Sequence, residues 1–394
     1  MRQVVALGLW LSVAILWAGC QTKPPQVKEY DRPLPAGQLA LRKITDPNQI
    51  PDFAPGWRDL DGLKTALRNS LDYLNKPSSA QYFPYGDINR DLAVKTLGTF
   101  LAIADSGART DEINGLIRST FDVYESVGCD DKGTVLFTGY YTPIFGGSLE
   151  RTTQFRYPLY RTPDNLVKGP DGQARGRRGV DGGITPYPPR AVIEDSGMLK
   201  GQELVWLDDP FKAYIAHVQG SAKIRLMSGQ IITVGYAANN GHEYQSIAKM
   251  LIDEGRIPSD RMSLGAMIDY FSKHPNEVDK YVRRNPRFVF FQLGVGTPRG
   301  SLNEPVLPWR TIATDKTIFP RACLAYLSTT LPQTTLNDDI AKKPYGGFAL
   351  DQDTGGAIRA AGRCDIYMGE GDQAGRLAGQ TYQEGRLYYL FLKQ

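Results

Sequence analysis

Three aspartates near the C-terminal end of the chain are the residues whose type and setting best suit catalysis. Asp315 lies in the apolar run TIATDKTIF, while Asp353 and Asp365 share a span of thirteen residues that also holds two adjacent glycines. A carboxyl group among apolar strand residues loses hydration, which raises its pKa and can keep it protonated near neutral pH. A protonated carboxyl group beside a substrate can act as a general acid. On residue types alone, three aspartates in turns or at the surface remain the alternative.

Other common kinds of catalytic and metal site are missing from the sequence. The three histidines, His217, His242 and His274, stand at no metal-ligand spacing, so a zinc site is not expected. There is no GxSxG motif, no P-loop and no dinucleotide-binding fingerprint. The run DQDTGG from Asp351 begins like an EF-hand loop, but its twelfth position is Gly362 and not Glu. Neither a metal nor an organic cofactor is therefore expected.

The first 20 residues indicate export. A single Arg2 precedes the apolar run Val4–Ala18, which is shorter than the ~20 residues that cross a bilayer as a helix and has the layout of a signal peptide. Its end, LWAGC, resembles a bacterial lipoprotein signal, which implies a lipid on Cys20. Because Gln21 and not Asp follows, the resemblance implies the periplasmic face of the outer membrane. The alternative is an ordinary secretory signal that ends in a chance cysteine. Residues 21–56 are predicted to form a tether, proline-rich in its first part.

The elements that must position the aspartates change in type along the chain. Leucines at steps of three and four from Leu60 to Leu74 predict a helix, and further helices are predicted over 91–104 and 111–124. Runs rich in β-branched and aromatic residues then predict strands, the first at Thr134–Thr142 and another at Ala213–Val218. Residues 163–190 predict an irregular loop, and the polar stretch 330–345 is expected to be irregular. Short, unevenly spaced strands favour a barrel with insertions over a βαβ array.

Charge and cysteine content narrow the class of protein. Lys+Arg 46 against Asp+Glu 42 gives a net charge of +4, too balanced to imply a nucleic-acid partner. Four cysteines are too few for a disulfide scaffold of 394 residues. Besides Cys20, the chain holds Cys129, Cys323 and Cys364. A Cys323–Cys364 disulfide and three buried thiols remain open at this point.

A set of segments, taken in order, resembles the MltA family, membrane-bound lytic murein transglycosylase A, with its three-aspartate 3D domain. The segments are FTGYYTP from Phe137, VQGS from Val218, NGHEYQSI from Asn240, NPRFVFF from Asn285, and QDTGGAI from Gln352 with Asp365-Ile-Tyr after it. The resemblance spans roughly residues 130–394. It implies a mainly β fold with peripheral helices, in which a second β-rich domain is inserted into a double-ψ β-barrel catalytic domain.

The resemblance also implies boundaries for these domains. The catalytic domain would comprise residues 57–143 and 248–394, with the 3D motif in 310–394, and the insert would comprise residues 144–247. The implied activity is non-hydrolytic cleavage of the β-1,4 bond between N-acetylmuramic acid and N-acetylglucosamine in peptidoglycan, leaving a 1,6-anhydro end. The implied partners are peptidoglycan glycan strands and a membrane reached through the lipid anchor. Which cell-wall synthases or scaffold proteins bind is left open.

Roles for individual residues follow from the same resemblance. Asp365 maps onto the family's catalytic aspartate, which acts as acid and then as base. Asp353 would raise the pKa of Asp365 as a neighbouring anion, Asp315 would hold loop backbone amides, and Thr138 would hydrogen-bond the catalytic carboxyl group. The candidates for the sugar groove are Tyr140, Tyr141, Gln219, Ser221, Asn240, His242 and Tyr244, together with Gly355 and Gly356, whose backbone would approach the sugar closely.

Two other functions compete with this one. Related barrels bind polysaccharide with little cleavage, so a non-catalytic glycan-binding module is one alternative. A conventional glycoside hydrolase, which uses two carboxylates and water, is the other.

Overall fold

The computed structural model describes residues 28–170, 172–294, 296–335 and 337–394, with the backbone alone described at residue 260. The strands are β1 (Leu41–Lys43), β2 (Phe121–Ser126), β3 (Val135–Thr142), β4 (Ile144–Ser148), β5 (Tyr157–Tyr160), β6 (Leu166–Lys168), β7 (Ala174–Arg178), β8 (Ile184–Thr185), β9 (Glu203–Leu207), β10 (Ser221–Leu226), β11 (Ile231–Asn239), β12 (Val289–Gly294), β13 (Thr311–Ala313), β14 (Leu324–Thr334), β15 (Ile340–Asp353), β16 (Arg363–Glu370) and β17 (Tyr382–Leu392). The helices are α1 (Leu60–Asn75), α2 (Arg90–Asp105), α3 (Ile113–Thr120), α4 (Arg190–Ser196), α5 (Pro210–Gln219), α6 (Ile247–Asp253), α7 (Leu264–Lys273), α8 (Val278–Val282) and α9 (Gly371–Gln380).

Six strands close into a barrel in the order β3-β17-β14-β15-β13-β16, and β16 returns to β3. The pairs β13–β15 and β16–β3 are parallel, and the other pairs are antiparallel. Along one edge of β17, Tyr382–Gly385 pair with β3 and Tyr388–Leu392 pair with β2, which with β1 extends the sheet. The predicted mainly β fold class is confirmed, and the closed barrel is consistent with the double-ψ topology.

Apolar side chains fill the barrel and attach its helices. The predicted leucine face of α1 is buried from Leu63 to Leu74. On β15, the ring of Phe348 lies with its centroid 4.9–6.3 Å from the rings of Phe53, Trp57, Phe100 and Tyr326. Aromatic pairs at such distances add to the free energy gained from burying their area. This cluster fixes α2 and the segment before α1 against the strand that ends at Asp353.

The segment that precedes α1 packs on the barrel. Leu41 pairs with Ser126, and Lys28 and Tyr30 both donate to the carboxylate of Glu384, each at 2.7 Å. The predicted tether over residues 21–56 is therefore wrong from residue 28 onward. Proline is tolerated in extended chain at a sheet edge, so its presence does not separate a packed segment from a free one. Cys20 and the predicted signal peptide lie outside the described residues.

A second sheet follows the order β12-β11-β10-β4-β9-β5, and a bridge between Arg161 and Phe291 joins its two ends. Strand β12 pairs with β11, although the prediction assigned residues 248–394 to the catalytic domain. Helices α6, α7 and α8 also bury apolar residues against α5 in one cluster with Phe211, Ile247, Phe271 and Tyr281. The boundary at residue 247 is thus wrong for this stretch, because strand pairing and not chain order decides which sheet β12 joins.

Several predicted elements differ in the structure. Residues 213–218 lie in α5 and not in a strand, because Asp209 caps the helix, Pro210 occupies its first turn and Gly220 ends it. Residues 121–124 belong to β2 and not to a helix. The stretch expected as a loop, 163–190, contains the small sheet β6-β7-β8. The polar stretch 330–345 extends the hairpin of β14 and β15, whose pairing runs to Thr334 and Ile340.

No helix among the described residues is long and apolar enough to cross a membrane. Cys129, Cys323 and Cys364 are buried free thiols, so the Cys323–Cys364 disulfide that the sequence left open is not formed.

Candidate active site

Four neighbouring barrel strands bring the predicted catalytic residues into one row. Ala313 on β13 pairs with Asp353 on β15 and with Asp365 on β16, and Asp365 pairs with Thr138 on β3. A shift of register between Ile312 and Ala313 places Asp353 in this row. Because neighbouring strands lie about 4.8 Å apart, the Cα atoms of the two aspartates are separated by about 10 Å. Paired residues point to one face of a sheet, so the polar side chains of the row share a face.

That face is the outer one of the barrel. Cys364 and Ile366 belong to the barrel core, so Arg363, Asp365 and Tyr367 point to the opposite side of β16. The core also contains Phe137 and Tyr141 of β3, whereas Thr138 and Tyr140 alternate with them. The catalytic candidates therefore stand on the outside of a rigid, closed sheet, where a polymer can reach them.

Asp365 is a half-buried carboxyl group that lacks full hydrogen bonding. Its Oδ1 has no hydrogen-bond partner among the described residues, and neither has the hydroxyl of Thr138. The hydroxyl is close enough to lower the pKa of the carboxyl group but does not meet the geometry of a hydrogen bond. Burial is the main cause that raises the pKa of Asp365 from 3.8 to about 6; Asp353 raises it further, and Arg363 opposes the rise. With this pKa, about half of Asp365 is protonated near pH 6 and about a tenth at pH 7.

Asp353 has a different environment. Its Oδ1 accepts from the backbone amides of Ser301 and Thr354, each at 2.8 Å, and its Oδ2 accepts from the Tyr140 hydroxyl at 2.8 Å. Burial raises the pKa of Asp353, and the three donors oppose that rise. The turn that holds Ser301 can approach Asp353 because Gly300 has no side chain. A Cβ at Gly300 would lie 2.8 Å from the backbone oxygen of Gln352. Donors that stabilise a carboxylate favour its ionised form, so Asp353 is suited to be the anion of the pair.

Asp315 contacts a loop, away from the other two aspartates. Its Oδ1 accepts from the backbone amide and the hydroxyl of Thr317, at 3.1 and 2.7 Å, and its Oδ2 accepts from the amide of Ala360 at 3.0 Å. Ala360 lies in the connection from β15 to β16, so these bonds tie that connection to the end of β13. The geometry is that of a structural support for the loop between Asp353 and Asp365.

A buried ion pair lies beneath the row, and the sequence motifs did not indicate it. Lys316 donates to Asp351, and both side chains are almost entirely enclosed. Asp351 Oδ2 also accepts from the hydroxyls of Thr314 and Tyr389, each at 2.7 Å. Burial raises the pKa of Asp351 and lowers that of Lys316, while each charge opposes the shift of the other. An acid and a lysine inside apolar strand patterns are the signal in the sequence that could have revealed the pair.

The predicted groove residues on and next to β3 divide into two kinds. Tyr140 belongs to the site, since it bonds Asp353 and its ring centroid lies 5.2 Å from that of Tyr367. The Tyr141 side chain instead packs in the barrel core, only 6% exposed, so the prediction that it lines the groove is wrong. Gln219 accepts from the Tyr141 amide at 3.1 Å, and Ser221 lies 3.3 Å from the Thr142 hydroxyl. Gln219 thus connects α5, and Ser221 connects β10 of the second sheet, to β3 beside the site.

The predicted residues from 240 to 244 carry mainly structural contacts. Asn240 donates to the carbonyls of Pro188 and Pro286 and accepts from the Phe288 amide at 2.8 Å. His242 Nε2 lies 2.7 Å from the backbone oxygen of Tyr187. Burial raises the pKa of the Tyr244 phenol, which also interacts with Tyr214 and Ser246.

Gly355 and Gly356 also have surroundings other than the predicted sugar. A Cβ at Gly356 would lie 3.1 Å from Arg287 Nε, and one at Gly355 would lie 3.0 Å from the Ile358 side chain. Protein side chains therefore occupy the space beside both glycines. The small size of the glycines accommodates these side chains, and not the close approach of a sugar that was expected.

One exposed aromatic residue in the row was not among the predicted groove residues. Tyr382 on β17 pairs with Thr138 and is 63% exposed. It lies two strands from Asp365 on the same face, at about 10 Å between Cα atoms. An exposed tyrosine side chain combines apolar contact area with a polar tip, as carbohydrate recognition requires. Only the pairing of β17 with β3 places it there.

Two cavities lie beside other parts of the barrel. One, of about 500 Å³, is bounded by residues 31–39 and by Asp315, Arg359 and Ala360. The other, of about 810 Å³, is bounded by Trp309, Tyr345 and α9. Neither is lined by Asp353 or Asp365. Among the described residues no group of three or more His, Cys, Asp or Glu side chains could hold a metal ion.

The matching family models cover most of the region discussed. The MltA specific insert domain matches residues 136–292, which includes β12, and the 3D domain matches residues 310–391. Membrane-bound lytic murein transglycosylase A of Escherichia coli K12 is 32% identical over 277 residues, covering 68% of this chain and 69% of the relative. The homolog from Buchnera aphidicola subsp. Schizaphis graminum is 28% identical over 323 residues, covering 80% and 81%.

Solved structures of similar proteins agree over nearly the whole chain. A membrane-bound lytic murein transglycosylase from Agrobacterium tumefaciens superposes with a TM-score of 0.73 at 26% identity, covering 90% of this chain and 98% of that one. Escherichia coli MltA with bound chitohexaose gives a TM-score of 0.67 at 25% identity, covering 93% and 100%. The resemblance that the sequence motifs indicated is confirmed.

Proposed function

Because the chain belongs to the family of membrane-bound lytic murein transglycosylase A, we propose that it is a lytic transglycosylase of peptidoglycan. It cleaves the β-1,4 bond between N-acetylmuramic acid and N-acetylglucosamine. Water takes no part in the reaction, and the muramyl product ends in a 1,6-anhydro ring. Its relative from Escherichia coli is solved with bound chitohexaose, which supports a glycan strand as the ligand of the row.

The difference between the two aspartates is the observation that carries this proposal. Asp353 accepts three hydrogen bonds through both of its oxygens, whereas Asp365 has an oxygen that finds no partner among the residues that the structure describes. A hydrolase needs a second carboxylate as nucleophile or as base for water. Asp353 is poorly suited to either task because both its oxygens are already bonded. One free carboxyl group with a raised pKa fits a reaction in which the substrate supplies its own nucleophile.

The steps follow from that single group. Protonated Asp365 donates its proton to the glycosidic oxygen as the bond from that oxygen to C1 of the muramyl residue breaks. The carboxylate that remains then takes the proton of the muramyl C6 hydroxyl, and the C6 oxygen bonds to C1. Asp365 is protonated again at the end, and no water enters. Asp353 remains the fixed anion that favours the protonated form of Asp365 between turnovers.

Mass spectrometry of digested peptidoglycan tests the reaction class. We expect muramyl ends that lack one water relative to hydrolysed ends, and we expect Asp365→Asn to lose turnover while retaining affinity for glycan. Asp87→Asn is a matched control, because Asp87 is exposed and has no ion pair among the described residues. Reducing ends alone would identify a conventional hydrolase. A wild-type protein that binds glycan but does not cleave it would be a glycan-binding module.

The location is part of the same proposal. The relatives are named membrane-bound, and the LWAGC segment ends in Cys20. Lipid on Cys20 would hold the protein at the periplasmic face of the outer membrane, with more than one acyl chain needed for stable anchoring. Cys20→Ala should therefore move the protein from the membrane fraction to the soluble periplasmic fraction. Retention in the membrane fraction would refute lipid anchoring at this residue.

A further inference from the structure

Three arginines border the connection from Asp353 to Asp365. Arg363 begins β16 and lies two residues before Asp365 on the same outer face, so their Cα atoms are about 7 Å apart. Arg359 is exposed within the connection. Arg287, just before β12, lies against this connection. Its Nε is 3.1 Å from the position that a Cβ would take at Gly356. The connection and the first residues of β16 are thus flanked by positive side chains.

Unlike the buried Arg190, the half-buried Arg287 and Arg363 and the exposed Arg359 form no ion pair in the described part of the chain. Arg190, by comparison, pairs with Glu194 at 3.1 Å and donates to the backbone oxygen of Arg287 at 2.9 Å. Within the described ranges, no carboxylate lies within 4.0 Å of a nitrogen of Arg287, Arg359 or Arg363. Arg363 Nε is enclosed without a hydrogen-bond partner among the described residues; the same is true of Arg190 Nε, but Arg190 has the ion pair that Arg363 lacks. Arg287 makes one hydrogen bond, to the backbone oxygen of His242 at 3.0 Å.

Such an arrangement costs free energy in the unliganded protein. The half-buried charges of Arg287 and Arg363 lose hydration without an ion pair among the described residues to offset that loss. Burial lowers the pKa of the Arg287 guanidinium, and the neighbouring charge of Arg359 lowers it further. Like charges held close together beside a reaction centre indicate a binding site for an anion. Planar guanidinium groups bind carboxylates with two parallel hydrogen bonds.

We propose that Arg287, Arg359 and Arg363 form a site for carboxylate groups carried by the muramyl residues of the substrate. The inference rests on the proposed function, since peptidoglycan carries such groups and chitin does not. Two sources share this chemistry, the lactyl carboxylate of a peptide-free muramyl residue and the carboxylates of the stem peptide. Binding at this site distinguishes muramyl from glucosaminyl residues and so selects which bond lies at Asp365.

The test compares substrates that differ only in these carboxylates. The substrates are peptide-free muramyl strands, the same strands with their lactyl carboxylates converted to neutral amides, and peptide-bearing strands. Arg363→Ala and Arg359→Ala should each lower kcat/KM about 10- to 100-fold on a substrate with the recognised carboxylate and less than about threefold without it. Loss on the peptide-free strand identifies the lactyl group, and loss confined to peptide-bearing strands identifies the stem peptide.

Matched variants show whether a loss of activity belongs to these three arginines. Arg225→Ala removes an exposed positive charge from β10 and should alter no substrate preference. Arg363→Lys keeps the charge but not the fork, so an intermediate loss is expected, and thermal unfolding shows whether each variant folds. Calorimetry with Asp365→Asn and with the double variant Asp365→Asn/Arg363→Ala measures affinity for the same three glycans without turnover.

The outcomes are distinct. An equal loss of kcat/KM on all three substrates, with affinities unchanged by Arg363→Ala and by Arg359→Ala, would overturn the anion site and leave Arg363 with an effect on Asp365 alone. A wild-type protein that forms no anhydro ends would refute the proposed reaction, while the calorimetric comparison would still decide whether the carboxylates are bound.

Discussion

Replacing Asp365 by Asn should stabilise the protein in a manner that depends on pH. Burial raises the pKa of Asp365 from 3.8 to about 6, so the ionised carboxylate is less favourable in the folded state than in the unfolded one. At 1.36 kcal/mol per pH unit, this difference corresponds to at most about 3 kcal/mol, because the half-buried side chain retains some hydration. Below about pH 4 the carboxyl group is neutral in both states and no cost arises. The cost develops as the pH rises from about 4 to about 6 and is complete above about 6.

Urea unfolding from pH 4 to pH 8 measures this effect. Trp57 is buried against Phe100 of α2 and Phe348 of β15, so its fluorescence contributes to the signal that changes on unfolding. The free energy of unfolding of Asp365→Asn should equal that of the wild type near pH 4, apart from a constant offset. It should exceed the wild-type value by up to about 3 kcal/mol at pH 8. Asp87→Asn, which removes an exposed carboxyl group, is the control variant.

A difference in unfolding free energy that stays constant from pH 4 to pH 8 would refute the raised pKa of Asp365. A variant that becomes less stable than the wild type as the pH rises would refute it too, since the folded state would then favour the carboxylate. Either result would remove the basis for Asp365 as the proton donor. Loss of activity in Asp365→Asn would then not be enough to identify Asp365 as the proton donor.

Other substitutions test the surroundings of the row. Lys316→Met leaves Asp351 as an unpaired buried charge and should lower the free energy of unfolding by about 3–5 kcal/mol, measured by urea unfolding; a loss below about 1 kcal/mol would contradict the pairing. Tyr140→Phe removes a donor from Asp353 and so raises the pKa of Asp353. Asp365 then loses its anionic neighbour, and the alkaline limb of the kcat/KM profile should move to lower pH. An unmoved limb would exclude coupling between the two aspartates. Tyr382→Ala should raise KM several-fold with little change in kcat if the ring contacts glycan, and Tyr382→Phe should restore most of the affinity; an equal loss in both variants would instead point to the hydroxyl.

Local patterns predicted the parts of the fold that depend on local physics. The leucine spacing of α1 and the β-branched run of β3 were sufficient, because helical and extended chains bury side chains with different periods. They failed for α5, where a short apolar run fits either period and only the cap at Asp209 distinguishes them. They failed again for β12 and for residues 28–56, because contacts made across the chain determine what those segments pack against.

The candidate site shows the same division. The order of motifs indicated the family and the three aspartates, but not that the Tyr141 ring lies in the core or that Arg287 covers Gly356. Both positions lie within motifs that are visible in the sequence. A motif gives the residue types at a site without the direction in which each side chain points.

The sequence by itself determined the chemical groups of this protein: three carboxyl groups near strands, no histidine or cysteine set for a metal, and an order of motifs typical of one family. Only the tertiary structure decided which carboxyl group keeps its proton. Strand pairing places Asp353 and Asp365 on either side of Ala313. Asp353 then receives three donors, whereas one oxygen of Asp365 receives none from the described part of the chain. A pKa depends on burial, neighbouring charges and donors, and here these come from residues as distant in the chain as Tyr140 and Ser301.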